Sequence, residues 1–152
     1  MAGEGGHGEL SAAALFDLAG WGHARLFAPD APAWEALRHL AAYAASRTTG
    51  VARPEGYDGV VFVGEVLLEG IVSIEPGVMI KGPAVLCDGA EIRQGAYLRG
   101  PVVVGERAVV GHCSELKHAI LLPGAAAPHF NYVGDSILGR DVNLGAGTIL
   151  SN

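Results

Sequence analysis

The sequence is short of positive charge: ten Lys and Arg stand against sixteen Asp and Glu, a net charge of −6 at neutral pH. Nucleic-acid binding rests on dense basic surface, so nucleic acid is not an expected partner. Apolar runs fall well short of the ~18 residues that a membrane-spanning helix requires, and no membrane partner is expected either. Met1 to Glu9 is Gly-rich and acidic, without the basic and apolar stretches of a secretory signal, so the expected compartment is the cytoplasm. Two cysteines, Cys87 and Cys113, are too few for a disulfide framework and match no zinc-ligand spacing. Both are expected to be buried, reduced thiols. In contrast, half of the 152 residues are hydrophobic and only 17% are charged, enough for a real core. Glycine, with 23 residues, is at roughly double its usual share. It follows no Gly-x-y register, which excludes collagen.

The chain divides into unlike halves. Residues 1–9 read as a flexible start, 10–46 as a helical segment, 47–59 as a linker and 60–152 as a repeat domain. Ser11 is placed to cap a short helix carrying Leu15 and Leu18, and Asp30 with Pro32 signals the start of a second helix. Trp34, Leu37, Leu40, Ala41 and Ala44 form its expected apolar stripe. The stretch RTTGVARPEGYD has two glycines, a proline and no period, and reads as a crossing loop.

From residue 60 a period of six takes over. Phe62, Leu68, Ile74, Ile80, Leu86, Ile92 and Leu98 are large and apolar, and Val104, Val110, Leu116 and Leu122 continue the series. Two residues before each stands a small or β-branched residue in nearly every case, from Val60 to Ile120, and glycine follows many of the large positions. A large and a small apolar residue per hexad fits neither a helix nor an ordinary strand. It fits a triangular parallel β-helix, with three hexads per coil stacked ~4.8 Å apart. After Leu122 the register slips, resuming at Leu138, Leu144 and Leu150. The slip, Pro123 to Asp135 (PGAAAPHFNYVGD), is expected to protrude as a loop over residues 123–135, offering His129, Asn131, Tyr132 and Asp135.

Residues eighteen apart stack on one face of such a coil. Lys81, Arg99 and Lys117 are so spaced, and Lys81 and Lys117 are the only lysines in the chain. Like charges stacked at coil spacing repel, so the column is best explained by an anion that it serves. His112, His118 and His129 suggest a metal, but His112 and His118 lie one hexad apart and diverge, so no metal is expected there.

The segment ELKHAILLPGAAAPHFNYVGDSILGRDVNLGAGTILSN, residues 115–152, carries H-x-x-Y-x-G-D followed by N-x-G-A-G-T. It resembles the hexapeptide-repeat acyltransferases, in particular the acetyltransferase half of the bifunctional enzymes that make UDP-N-acetylglucosamine, and the β-helix domains related to sugar-1-phosphate nucleotidyltransferases. The similarity covers roughly residues 60–152. It implies a mainly β fold, a left-handed parallel β-helix of about five coils preceded by a small helical segment, and a homotrimer with its site at the seam between prisms. It also implies roles: His129 as the catalytic base, Glu115 and Asn143 as further catalytic residues, and Arg99, Lys117, Tyr132 and Asn152 as substrate contacts. Ala146, within N-x-G-A-G-T, is implied as a contact to acetyl-CoA, the acyl donor. Relatives of this kind continue past the position of Asn152 with coils that hold acetyl-CoA. The chain is therefore expected to be a piece of a longer protein or a reduced domain, and no Gly-rich nucleotidyl loop precedes its repeats.

The function so implied is N-acetyl transfer to an amino-sugar 1-phosphate such as glucosamine-1-phosphate, in nucleotide-sugar biosynthesis. His129 would take the amine proton, and backbone N–H groups around Gly145 to Gly147 would hold the oxyanion. The alternative is a non-catalytic, trimerising, sugar-phosphate-binding module.

Overall fold

The computed structural model describes residues 8–150. Its core is a β-solenoid of about five turns built from short parallel strands. Three rows of strands stack along it. The first row comprises 61–63, 79–81, 97–99, 115–117, 132–134 and 149–150. The second comprises 66–68, 84–86, 102–104, 119–121 and 136–138. The third comprises 73–74, 91–92, 109–112 and 126–129. The expected hexads fill the interior: Ile80, Leu98 and Leu116 of the first row, Leu86 and Val104 of the second, and Ile92 and Val110 of the third are all fully buried in one cluster.

The slip lies elsewhere than the repeat count placed it. Rungs are eighteen residues long up to the pair Arg99–Lys117, then seventeen: Val102 faces Ala119, Val104 faces Leu121, and Tyr132 faces Glu115. The missing residue is at the corner between the first and second rows. Gly100–Pro101, joined by a cis peptide bond, turns that corner in one rung, whereas single residues at positive φ, His118 (51°) and Asp135 (44°), turn it in the next two. Leu121 thus takes the interior place, and Leu122 points outward. Pro123 to Asp135 is consequently not a protruding loop. Residues 126–129 form a strand paired in register with 109–112, and Tyr132 opens the next first-row strand. A rung shortened by one residue leaves nothing over to bulge out.

Before the solenoid, the segment 10–46 is less helical than expected. Short 3-10 turns (Gly8–Leu10, Ala24–Leu26) and the four-residue helix α1 (Ala12–Leu15) precede the one long helix, α2 (Glu35–Thr48). Ser11 does cap α1, its Oγ accepting from the Ala14 N–H at 3.3 Å. Pro32 bridges Ser11 and the Ala33 N–H binds the Leu10 carbonyl, which holds this stretch extended and delays α2 to Glu35. The buried seam of α2 is Ala36, Leu40, Ala44 and Thr48, with Leu37 and Tyr43 flanking it. Trp34 and Ala41 face outward, off the expected stripe. Small residues at i, i+4 spacing let the helix axis approach closely, and what it approaches is the second row.

That row is apolar on both sides. Its inward residues belong to the prism core. Its outward residues, Val85, Val103 and Ile120, are fully buried against α2 and the segment around Trp21 and Phe27. No helix among the described residues is long and apolar enough to cross a membrane.

Candidate functional site

The first row carries two outward columns. One is Val63, Lys81, Arg99, Lys117 and Gly134, so the three cations do stack rung upon rung. The other is Met79, Tyr97, Glu115, Tyr132 and Ile149, two residues back along each strand. The cations are partnered within this surface. Arg99 binds Glu115 at 2.8 Å, and that hydrogen bond holds its guanidinium above the ordinary range. Lys117 meets Asp135 at 3.3 Å. Lys81 and Arg99 stand 5.4 and 5.9 Å from the centroid of the Tyr97 ring, a cation–π arrangement that eases their mutual repulsion. All four ion-pairing side chains are between 32% and 44% exposed, so an incoming anion can compete for the cations.

Glu115 accepts from Arg99 along the row. His129 stands past the corner, at the end of the third row, level with His112 on the rung above. It is exposed, its N–H donates to Asn131 Oδ1 at 2.9 Å, and its carbonyl accepts from Gly147 N–H at 3.0 Å. That last bond uses one of the N–H groups assigned to an oxyanion. Asn143 bridges Ala126 at the opposite end of the third row, and Ala146 follows on the exposed rung next to His129. Asn152 lies outside the described residues.

One chain therefore gathers Arg99, Glu115, Lys117 and Tyr132 on a single face, places His129 and Ala146 at a corner of it, and leaves Asn143 on another face. His118 departs from the histidine trio altogether. Its Nε2 binds the Leu37 carbonyl of α2 at 2.8 Å and its Nδ1 binds Asp135 at 2.6 Å, tying helix to solenoid.

Two residues offered by the 123–135 segment do different work from that expected of an outward loop. Asn131, 2% exposed, turns inward at the corner below His129 and donates to the Gly145 carbonyl at 2.8 Å, while its own N–H binds Ser114 Oγ. A polar residue in a small interior slot of the repeat was the available signal. Asp135 joins Lys117 to His118, which only the shortened corner makes possible. Of the cysteines, Cys113 is exposed, contrary to expectation, because it occupies a corner at φ 51°. Cys87 is buried, and burial beside Glu106 and Glu69 pushes its thiol well up.

Rungs of eighteen and seventeen residues, each with large and small apolar residues in alternation, define a hexapeptide-repeat parallel β-solenoid protein. No family model matches the chain. Among curated proteins it is similar to the bifunctional sugar-1-phosphate nucleotidylyltransferase/acetyltransferase of Sulfurisphaera tokodaii, at 38% identity over 95 residues, 62% of this chain and 24% of that protein. It is 37% identical over 109 residues to bifunctional protein GlmU of Stutzerimonas stutzeri, covering 61% and 24% respectively. With GlmU of Methanococcus aeolicus it shares 41% over 93 residues, 57% of this chain and 23% of the relative. The chain thus spans about a quarter of the length of these relatives.

Proposed function

We propose that this chain serves acetyl transfer to an amino-sugar 1-phosphate, glucosamine-1-phosphate being the first to test. The observation that carries the reading is the stacked pair Arg99 and Lys117, beside Glu115 and Tyr132 on one face of the solenoid. Similarity to proteins named as sugar-1-phosphate nucleotidylyltransferase/acetyltransferases supports it.

In this reading Arg99 and Lys117 leave Glu115 and Asp135 for the sugar phosphate, exchanging one set of charge-assisted hydrogen bonds for a stronger one. Tyr132 and Asn152 contact the sugar. The amine nitrogen attacks the thioester carbonyl of acetyl-CoA, the carbon–sulfur bond breaks, and coenzyme A leaves as the thiolate. His129 takes the proton that the amine loses and passes it on to that thiolate. Asn143 acts as a further catalytic residue beside His129, and Ala146 contacts the acyl donor. Because Asn143 lies on a different face of one chain from Lys117, with His129 at the corner between, the complete site is read as a seam between copies, in keeping with a homotrimer, and the compartment as the cytoplasm.

A non-catalytic, trimerising sugar-phosphate module is the second reading. The bond from Gly147 to the His129 carbonyl favours it, since it removes a donor from the oxyanion site.

Calorimetric titration of glucosamine-1-phosphate into the wild type and Lys117→Ala tests the shared premise. Losing one charge-assisted contact costs about 1.5–3 kcal/mol, so the variant is expected to bind roughly ten- to hundredfold more weakly. Equal affinity in the two proteins, or no binding to the wild type, overturns the phosphate site. Acetyl transfer by the wild type and its loss in His129→Ala then separates enzyme from module.

A further inference from the structure

Far from the cation column, where the helical segment closes over the second row, polar groups collect in an otherwise apolar interface. His23, 3% exposed, comes from the segment before α2, and Glu69 and Cys87 come from successive rungs of the solenoid. The His23 ring nitrogen, a Glu69 oxygen and the Cys87 sulfur all lie within 4.8 Å of one another. Among the described residues this is the one such cluster of three or more metal-binding side chains. We propose that His23, Glu69 and Cys87 bind a divalent transition-metal ion of the zinc type, pinning the helical segment to the solenoid.

The surroundings resemble the outer shell that such sites need. His23 Nε2 faces Glu69 Oε2 at 3.0 Å while its Nδ1 meets the Tyr43 hydroxyl at 2.6 Å. The hydroxyl can accept from Nδ1–H, which frees the Nε2 lone pair for a metal and fixes the ring. Arg47 holds the other oxygen of Glu69, Oε1, at 2.6 Å, so one carboxylate oxygen is anchored and the other is turned toward His23. In a tetrahedral site with bonds of ~2.0–2.1 Å, nitrogen and oxygen ligands stand about 3.3 Å apart, a few tenths beyond the present separation. Nitrogen, oxygen and sulfur donors together select zinc or cobalt over magnesium or calcium.

Charge balance also works. Binding releases the Cys87 thiol proton to solvent, and the thiolate with the Glu69 and Glu106 carboxylates offsets the two positive charges of the ion and the one on Arg47. Glu106, which acts on the Cys87 thiol, has a buried Oε2 without a hydrogen-bond partner. A water in the fourth position would satisfy it.

The test is metal analysis of the purified chain, followed by cobalt(II) titration after chelator treatment and again during refolding from denaturant. The expected result is one cobalt per chain with a thiolate-to-cobalt charge-transfer band, present in wild type and in Cys113→Ser, and lost in Cys87→Ser and in His23→Gln. Zinc is expected to raise the melting midpoint of the wild type and to leave that of Cys87→Ser, a near-isosteric change, where it was. No uptake by wild type in any arm, or a thiolate band that survives in Cys87→Ser, overturns the site.

Discussion

Asn131 shows how much a single inward polar residue holds in place here. It sits where earlier rungs put Val78, Ala96 and Ser114, and its amide ties the His129 N–H on one side to the Gly145 carbonyl on the other. Replacing it with Ala takes the acceptor from the His129 N–H and one donor from the Gly145 carbonyl, which keeps the Thr148 N–H and hydroxyl. Asn131→Ala is therefore expected to lose about 1–2 kcal/mol of stability, measured by urea unfolding. A loss below half a kcal/mol would show that the corner is held by its backbone bonds alone. At this scale the sequence was most legible for residues that stack. Lys81, Arg99 and Lys117 are spaced by whole rungs, and the register places them as the spacing predicts. It was least legible where apolar residues run together. In Ala119-Ile120-Leu121-Leu122 all four are buried, two inside the prism and two beneath the helices. A six-residue template accepts Leu122 as readily as Leu121, so the slip was counted after this run when it falls before it.

At the scale of elements, α2 and the second row explain each other. Consecutive apolar triplets recur in the second row as VLL, AVL, VVV and AIL because that row is covered on both sides, whereas the one first-row triplet, VFV, leaves its outer two residues exposed. This was a readable signal for where the helices pack, and a count of inward positions alone passes over it. The apolar stripe of α2 was misaligned for a related reason. Trp34 is the largest apolar residue nearby and drew the stripe toward itself, whereas packing chose the small residues Ala36 and Ala44. Two substitutions separate the faces. Ala44→Leu puts three extra carbons into a fully buried contact and is expected to cost about 1–3 kcal/mol. Ala41→Leu, on the exposed side, should stay within about 0.5 kcal/mol. Thermal unfolding of both variants compares them directly, and similar losses would place Ala41 in the interface after all.

The whole molecule presents three rows with three different outward chemistries. The second row is covered by its own helical segment. The first carries the cation column together with exposed Val61, Val63 and Ile149, and the third ends in His129. For one substrate to touch both Lys117 and Asn143, the first row of one copy must face the third row of another, since a convex prism cannot fold its own faces together. An amino-sugar phosphate site built from all the residues named therefore requires association, and rotation about a common axis closes such a head-to-tail contact into a ring. With 15.6 kDa per chain, sedimentation equilibrium is expected to return the mass of three chains at concentrations where the phosphosugar binds. A single-chain mass under those conditions, with binding intact, would confine the ligand to Arg99, Glu115, Lys117 and Tyr132. His129 and Asn143 would then have no common ligand, and the sugar-phosphate module would stand in place of the acetyltransferase.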